Sequence, residues 1–300
     1  MTFERGLAWC SADTKEALGV RRAICRSKRV AFAGFPFLPL RQKGCMIQKT
    51  GGAHSKLSID PNHLDLLNRG VAESRTHIEE MVIDWAQLLG RTYPDLEFDP
   101  ATLNRTPFIR RFRLVGDLLR EHYGPGLFNG DREWVSDTIR GWHAMAIGGD
   151  SRLSTKSKLS ALLPYARDHH FAVREWAWLA LRPAVVLDPL EALRHLMPIG
   201  RSSSYLDRRF ASEVLRPRSV WGSHIELFKA KPEMADAFLA QLRCDNHAYV
   251  RTSVGNWLND VATTRPDWLA ETCADWLRMC QCQNTQIIVR RGARRLTHPT

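Results

Sequence analysis

The chain has 300 residues, 44% of them apolar, and a formal net charge of +11. That is enough apolar material for a core in one large domain or two ordinary ones, and it argues against wholesale disorder. The longest apolar run, Val30 to Leu40, is broken by Pro36 and Pro39 and begins too far along for a signal peptide, so no membrane span or membrane partner is expected.

Residues 1–45 mix Arg21-Arg22, Arg26 and Lys28-Arg29 with Gly, Pro and Ser, and show no sustained period. They read as a poorly ordered basic arm or extension, ahead of a folded domain over 46–300. The arm holds nine Lys/Arg and three Asp/Glu, leaving a net +5 for the other 255 residues. A basic surplus favours a polyanionic partner through phosphate contacts, but most of the domain is only mildly basic.

From Pro61 the helical period takes over. Pro61 to Leu89 reads as one or two amphipathic helices, with Leu64, Leu67, Val71, Ile78, Val82 and Trp85 on the apolar side. Further helices are expected over Phe108 to Tyr123, Trp134 to Ile147 and Leu159 to Ala166, the first stopped by Gly124-Pro125-Gly126 and the second followed by Gly148-Gly149. No stretch alternates like a strand with hairpin turns, so the fold is expected to be all-α.

The second half repeats. Val-Arg or Arg-Arg steps, each expected to start a helix, recur at intervals of 35, 42 and 39 residues, from Arg174 to Arg209, Arg251 and Arg290. A helix pair recurring at that period marks a HEAT-like helical repeat solenoid, whose second helices line one concave face. A cation at the same place in each unit forms a row. It either follows a phosphate backbone or ties adjacent repeats together.

In the helix from Val250, Ser253, Asn256 and Asp260 fall on one stripe, and Val250, Val254, Leu258 and Val261 on the core side. Ser, Asn and Asp are poor helix material, and Asp260 sits well inside the pattern rather than at a cap. One repeat earlier, Arg209, Glu213 and Arg216 share a face, Pro217 ends the helix and Trp221 follows in a loop. Neither acid is expected to be a core residue. Two carboxylates, a tryptophan and several arginines suit the detachment of a cationic nucleobase from deoxyribose: a carboxylate steadies the oxocarbenium-like sugar and orients water, the indole supplies a cation–π face, and arginines hold phosphates. Such a substrate is already activated, so no metal or cofactor is expected. The seven cysteines agree: Cys280 and Cys282 form a C-x-C, but no second pair sits at zinc spacing, and reduced thiols in a cytoplasmic protein are expected.

These stretches resemble the bacterial alkylpurine DNA glycosylases of the HEAT-like type, the AlkC/AlkD superfamily, and look closer to its AlkC side. The resemblance lies in Arg208-Arg209-Phe210-Ala211-Ser212-Glu213, Arg216-Pro217-Arg218, Trp221-Gly222, Tyr249-Val250-Arg251, Ser253 to Asp260 and Val289-Arg290-Arg291, with looser similarity over roughly 60–298. It implies a solenoid that binds duplex DNA on its concave face and excises N-alkylated bases of the 3-methyladenine type, as a monomer. Carried over by residue, it implies Asp260 as the main catalytic carboxylate, Glu213 as a second acid and Trp221 as the aromatic wall. Arg174, Arg209, Arg216, Arg251, Ser253, Asn256, Arg290 and Arg291 would lie along the DNA. Where that family tends to carry a Glu directly before the Phe-Ala-Val-Arg step, this chain has His170. The alternatives are a HEAT-repeat DNA-binding module that does not cut and a protein-interaction scaffold.

Overall fold

A computed structural model describes residues 52–297 apart from 54, 125, 126 and 128–133. The arm expected over 1–45 lies outside the described residues. In chain order the helices are α1 (Pro61–Asn68), α2 (His77–Val82), α3 (Trp85–Thr92), α4 (Pro100–Arg105), α5 (Phe108–Tyr123), α6 (Asp137–Gly149), α7 (Thr155–Ala166), α8 (Phe171–Leu187), α9 (Pro189–Leu196), α10 (Tyr205–Val214), α11 (Glu226–Ala230), α12 (Asp236–Leu242), α13 (Ala248–Val261), α14 (Pro266–Met279), α15 (Gln283–Gly292) and α16 (Arg294–Thr297). Among the described residues there is no strand, and the fold is the all-α solenoid the repeats implied. The stretch from Pro61 forms three helices rather than one or two, because Asp60, Thr76 and Asp84 each cap a new start through a side-chain oxygen.

The inner helices form a row in which α6 packs on α8, α8 on α10, α10 on α13 and α13 on α15. Around this row α5 lies against α6, α7 and α9 against α8, and α14 against α15. The row is hydrophobic where it meets its neighbours: Val173, Phe210, Val250, Val254, Trp257, Leu258 and Ile288 are all buried. Each such burial contributes about 1.5–3 kcal/mol. Trp257 also keeps its indole N–H satisfied inside the core, donating to the Leu215 carbonyl at 2.9 Å. Two glycines set the inter-helix spacing. A Cβ on Gly148 would collide with the Ala180 carbonyl of α8, and one on Gly255 would lie 2.8 Å from the Arg291 side chain of α15.

The recurrent arginines have a common geometry. Arg140, Arg174, Arg208 and Arg251 each stand four residues after an N-cap, namely Ser136, His170, Ser204 and His247. Each guanidinium turns back onto carbonyls just upstream of its own cap. Arg140 donates to Trp134 and Val135 at 2.7 and 2.6 Å, and Arg174 to Asp168 and His169 at 2.8 Å. Arg208 donates to Ser202 and Ser203 at 2.9 and 3.0 Å, and Arg251 to Asp245 at 3.1 Å. Two of them also reach the head of the next inner helix, where Arg140 pairs with Asp168 at 2.8 Å and Arg208 with Asp245 at 2.6 Å. Those aspartates in turn accept the backbone N–H of the His170 and His247 caps. The periodic arginine is therefore a tie within and between repeats. The fourth step differs: Val289-Arg290 falls in the last turn of α15 instead of opening a helix.

Candidate active site

Three neighbouring inner helices contribute one continuous chain of charges. Glu175 of α8 accepts from Arg209 of α10 at 2.6 Å, and Arg209 lies 3.7 Å from Glu213, one turn further along. Arg216, just past the end of α10, pairs with Glu213 at 2.6 Å and reaches across to Asp260 of α13 at 2.9 Å. A second bond from Arg216 to Asp260, at 3.1 Å, makes that contact two-pronged. Three carboxylates thus share two guanidiniums, and both sequence-selected acids meet at Arg216.

Neither acid is a free surface group. Glu213 is 6% exposed and Asp260 8%, which corrects the expectation that they lie off the core. The reason is the close packing of α10 on α13, which brings Ser253 against the Glu213 carboxylate at 2.7 Å and Ser212 against Ser253 at 2.7 Å. Burial would raise Glu213, but Arg209, Arg216 and the Ser253 hydroxyl outweigh it and leave its pKa below the usual carboxylate value. Asp260 goes the other way. Burial raises it, and pairing with Arg216 does not fully offset that. Asp260 also lies in the last turn of α13 rather than well inside the helix, where the helix end carries partial negative charge and disfavours a carboxylate. Two acids in one site, pushed in opposite directions, are suited to different roles.

Trp221 projects from the loop after α10 and is 48% exposed. That loop is pinned from two sides. Arg218 donates to the Asp260 carbonyl at 2.8 Å and to the Thr263 hydroxyl. Arg182 of α8 donates to the Ser223 and Val214 carbonyls at 3.0 and 2.8 Å. Arg182 is itself fully buried. Desolvation, with Arg216 nearby, pushes its guanidinium down to about 10, against the pull of Asp260 and Glu213.

The arginines expected along DNA separate into two groups. Arg174 and Arg251 are ladder residues, each turning one guanidinium nitrogen onto carbonyls upstream of its cap. Arg209 is buried between Glu175 and Glu213 with its guanidinium 4.5 Å above the Tyr249 ring, so it cannot reach a phosphate without losing those contacts. Ser253 is likewise buried. Arg216 is committed to the two acids. Arg290 is exposed, while Arg291 reaches back to Asn256 at 2.8 Å beside the acid cluster. His170 caps α8: its Nδ1 accepts from the Ala172 N–H, and its Nε2 meets the Ser74 carbonyl at 2.6 Å. These contacts assign the proton to Nε2 and give the ring a structural role.

Sequence reasoning missed Glu175, Tyr249, Arg182 and Arg218. Glu175 had one visible signal, since it precedes Arg209 by 34 residues, about one repeat, and so faces it across adjacent helices. At Glu73, Asp168 and His169, which could together face a metal ion, both acids are already paired with Arg140.

The class this defines is a HEAT-like helical solenoid carrying a buried carboxylate–arginine chain on its inner row. No family model matches the sequence. A stretch of 97 residues is 36% identical to the uncharacterized protein YhaZ of Bacillus subtilis, covering 32% of this chain and 27% of that protein. Among solved structures, alkylpurine DNA glycosylase AlkC of Pseudomonas fluorescens, bound to DNA containing an abasic site analog, is similar at a TM-score of 0.57 and 20% identity. That likeness covers 82% of this chain and 66% of AlkC. It establishes the fold; the chain spans about a quarter of YhaZ and just under two thirds of AlkC. Among the described residues no helix is long and apolar enough to cross a membrane.

Proposed function

We propose that this protein is a DNA glycosylase that hydrolyses the N-glycosidic bond of cationic N-alkylated bases, of the 3-methyladenine type, in duplex DNA. The observation that carries the reading is the meeting of Glu213 and Asp260 at Arg216, beside the pinned loop that exposes Trp221. A desolvated carboxylate with a raised pKa gains more from an arriving cation than a solvated one does. Asp260 is therefore the group assigned to the oxocarbenium-like sugar and to orienting water. Glu213, held ionised by Arg209 and Arg216, fixes Arg216 beside Asp260. Trp221 offers its indole face to the cationic base. Arg290 and Arg291 supply phosphate contacts. The substrate's own positive charge weakens the bond, so these groups need only stabilise charge that develops as the base departs.

The fold shared with AlkC supports this reading, and AlkC's own complex with DNA containing an abasic site analog supports DNA as the partner. The test is release of 3-methyladenine from methylated duplex DNA by the wild-type chain and by Asp260→Asn. Release by the wild type and its loss in the variant are expected. Equal failure of both would remove the enzyme reading. If the wild type then bound DNA with a steep dependence on salt, a non-cutting DNA-binding module would remain. Salt-insensitive or absent binding would point to a protein scaffold.

A further inference from the structure

Away from the acid cluster, three cysteines converge where two repeats meet. Cys244 lies in the turn after α12, Cys280 caps the C-terminal end of α14, and Cys282 is the N-cap of α15. Their sulfurs all lie within 4.8 Å of one another, with Cys280 and Cys244 at 3.5 Å and Cys244 and Cys282 close enough to be joined as a disulfide. The remaining described cysteine, Cys273, is buried in α14 and takes no part.

We infer that Cys244, Cys280 and Cys282 form a thiolate site for a thiophilic divalent ion of the zinc class. Two thiolates bound at ~2.3 Å to one tetrahedral ion lie about 3.8 Å apart, close to the Cys280–Cys244 separation. The backbone fits a shared ion better than a crosslink. Cys244 and Cys282 are 7.1 Å apart at Cα, beyond the ~4.4–6.8 Å that a disulfide usually spans. The surroundings suit anionic sulfur. Cys282 occupies an N-cap, where the free N–H groups of α15 favour negative charge, and the Thr285 hydroxyl lies 3.3 Å from its sulfur. Thr285 is in turn fixed by donating to the Arg243 carbonyl at 2.9 Å, tying the α15 start to the residue before Cys244. Cys244 is exposed and Cys280 and Cys282 are half-buried, so the ion has an entry path and a fourth position open to water. Binding is a ligand exchange with no redox change: each thiol gives up its proton as its sulfur joins the ion, and water completes the tetrahedron. The ion would clamp the turn before α13 to the turn before α15, fastening two repeats at their ends.

The test uses the full chain, reduced and kept anaerobic, with Zn2+ alone and then with Co2+ alone as a spectroscopic probe. Expected are Zn2+ retention against a weak chelator, a thiolate-to-cobalt charge-transfer band in the near ultraviolet, and a rise in Tm on adding Zn2+. Cys280→Ser should weaken retention by more than the roughly tenfold that loss of a supporting contact costs, whereas Cys10→Ser should leave it unchanged. Should the Cys280 variant fail to fold, alkylation mapping of the wild type decides. The ion should protect Cys244, Cys280 and Cys282 together and leave the other cysteines as reactive as before. Absence of the cobalt band, equal retention by Cys280→Ser, failure of protection, or recovery of a Cys244–Cys282 crosslink from the reduced anaerobic preparation would each overturn the site.

Discussion

At Asp260 and Glu213, the same burial has opposite consequences because their partners differ. Asp260 has one guanidinium, shared with Glu213, and sits at a helix end that disfavours its charge; its carboxyl accordingly titrates above the ordinary 3.8. Asp260→Asn should therefore cost less stability than Glu213→Gln while base release falls by about 10²–10³-fold, the loss typical of removing one preorganised charge-stabilising group. The acid limb of kcat/KM should follow the same residue: release is present while Asp260 is ionised and is lost as pH falls through its raised pKa. A limb at or below 3.8 would show that another group governs it. Glu213 is the reverse case. Its pKa lies below 4.5 because Arg209, Arg216 and Ser253 outweigh burial. Its contribution to stability is thus complete above 4.5 and fades as pH falls through the lowered value. Glu213→Gln should destabilise the fold by about 1–3 kcal/mol near neutral pH and flatten the acid side of the stability curve, as measured by denaturant titration across pH.

At the scale of helices and loops, caps and ladder arginines decide which polar residues are available for a ligand. Arg208 joins the carbonyls before α10 to Asp245 at the head of α13, and Asp245 also holds the His247 cap. Asp245→Asn should cost about 1–3 kcal/mol in stability and leave the salt dependence of DNA binding as in the wild type, because the residue holds repeats together and meets no phosphate. The Trp221 loop is the complementary case. Its backbone is fixed by Arg182 and Arg218, but its indole is exposed and supports little of the core. Trp221→Ala should shift stability by no more than ~0.5 kcal/mol and still lower the excision rate by several-fold, the size of a lost cation–π contact. A large fall in Tm would make the indole a packing residue.

For the molecule as a whole, the row α6–α8–α10–α13–α15 determines which side chains share a face. Residues from separate repeats, Glu175, Arg209, Glu213, Arg216 and Asp260, become neighbours because each inner helix stacks on the next with nearly the same register. At the C-terminal end of the row Arg290 is exposed, while Arg291 and Arg294 turn back onto Asn256 and Asn259 of α13 at 2.8 and 3.1 Å. Arg290→Gln should weaken DNA binding evenly across sequences and reduce the slope of log affinity against log salt by about 1. An unchanged slope would place the DNA elsewhere.

Local sequence was enough for the helices and their repetition. Apolar spacing, caps such as Ser136 and stops such as Gly124 act over one or two turns, and the intervals of 35 and 42 residues between the steps at Arg174, Arg209 and Arg251 follow the stacking, whereas the step at Arg290 opens no helix. It was enough, too, to pick out Glu213 and Asp260, whose positions in equivalent helices make their approach a matter of register. What the sequence left open was which arginine does what. Arg174, Arg209, Arg251 and Arg290 look alike in the chain, yet the first and third tie caps, the second is buried under two carboxylates, and the fourth is exposed. Burial of the two acids and the convergence of Cys244 on Cys280 and Cys282 were equally hidden. Each depends on how closely one helix pair settles on the next, a distance set by the side chains that meet there, Ser212 against Ser253 in the case of the acids, and by no local pattern.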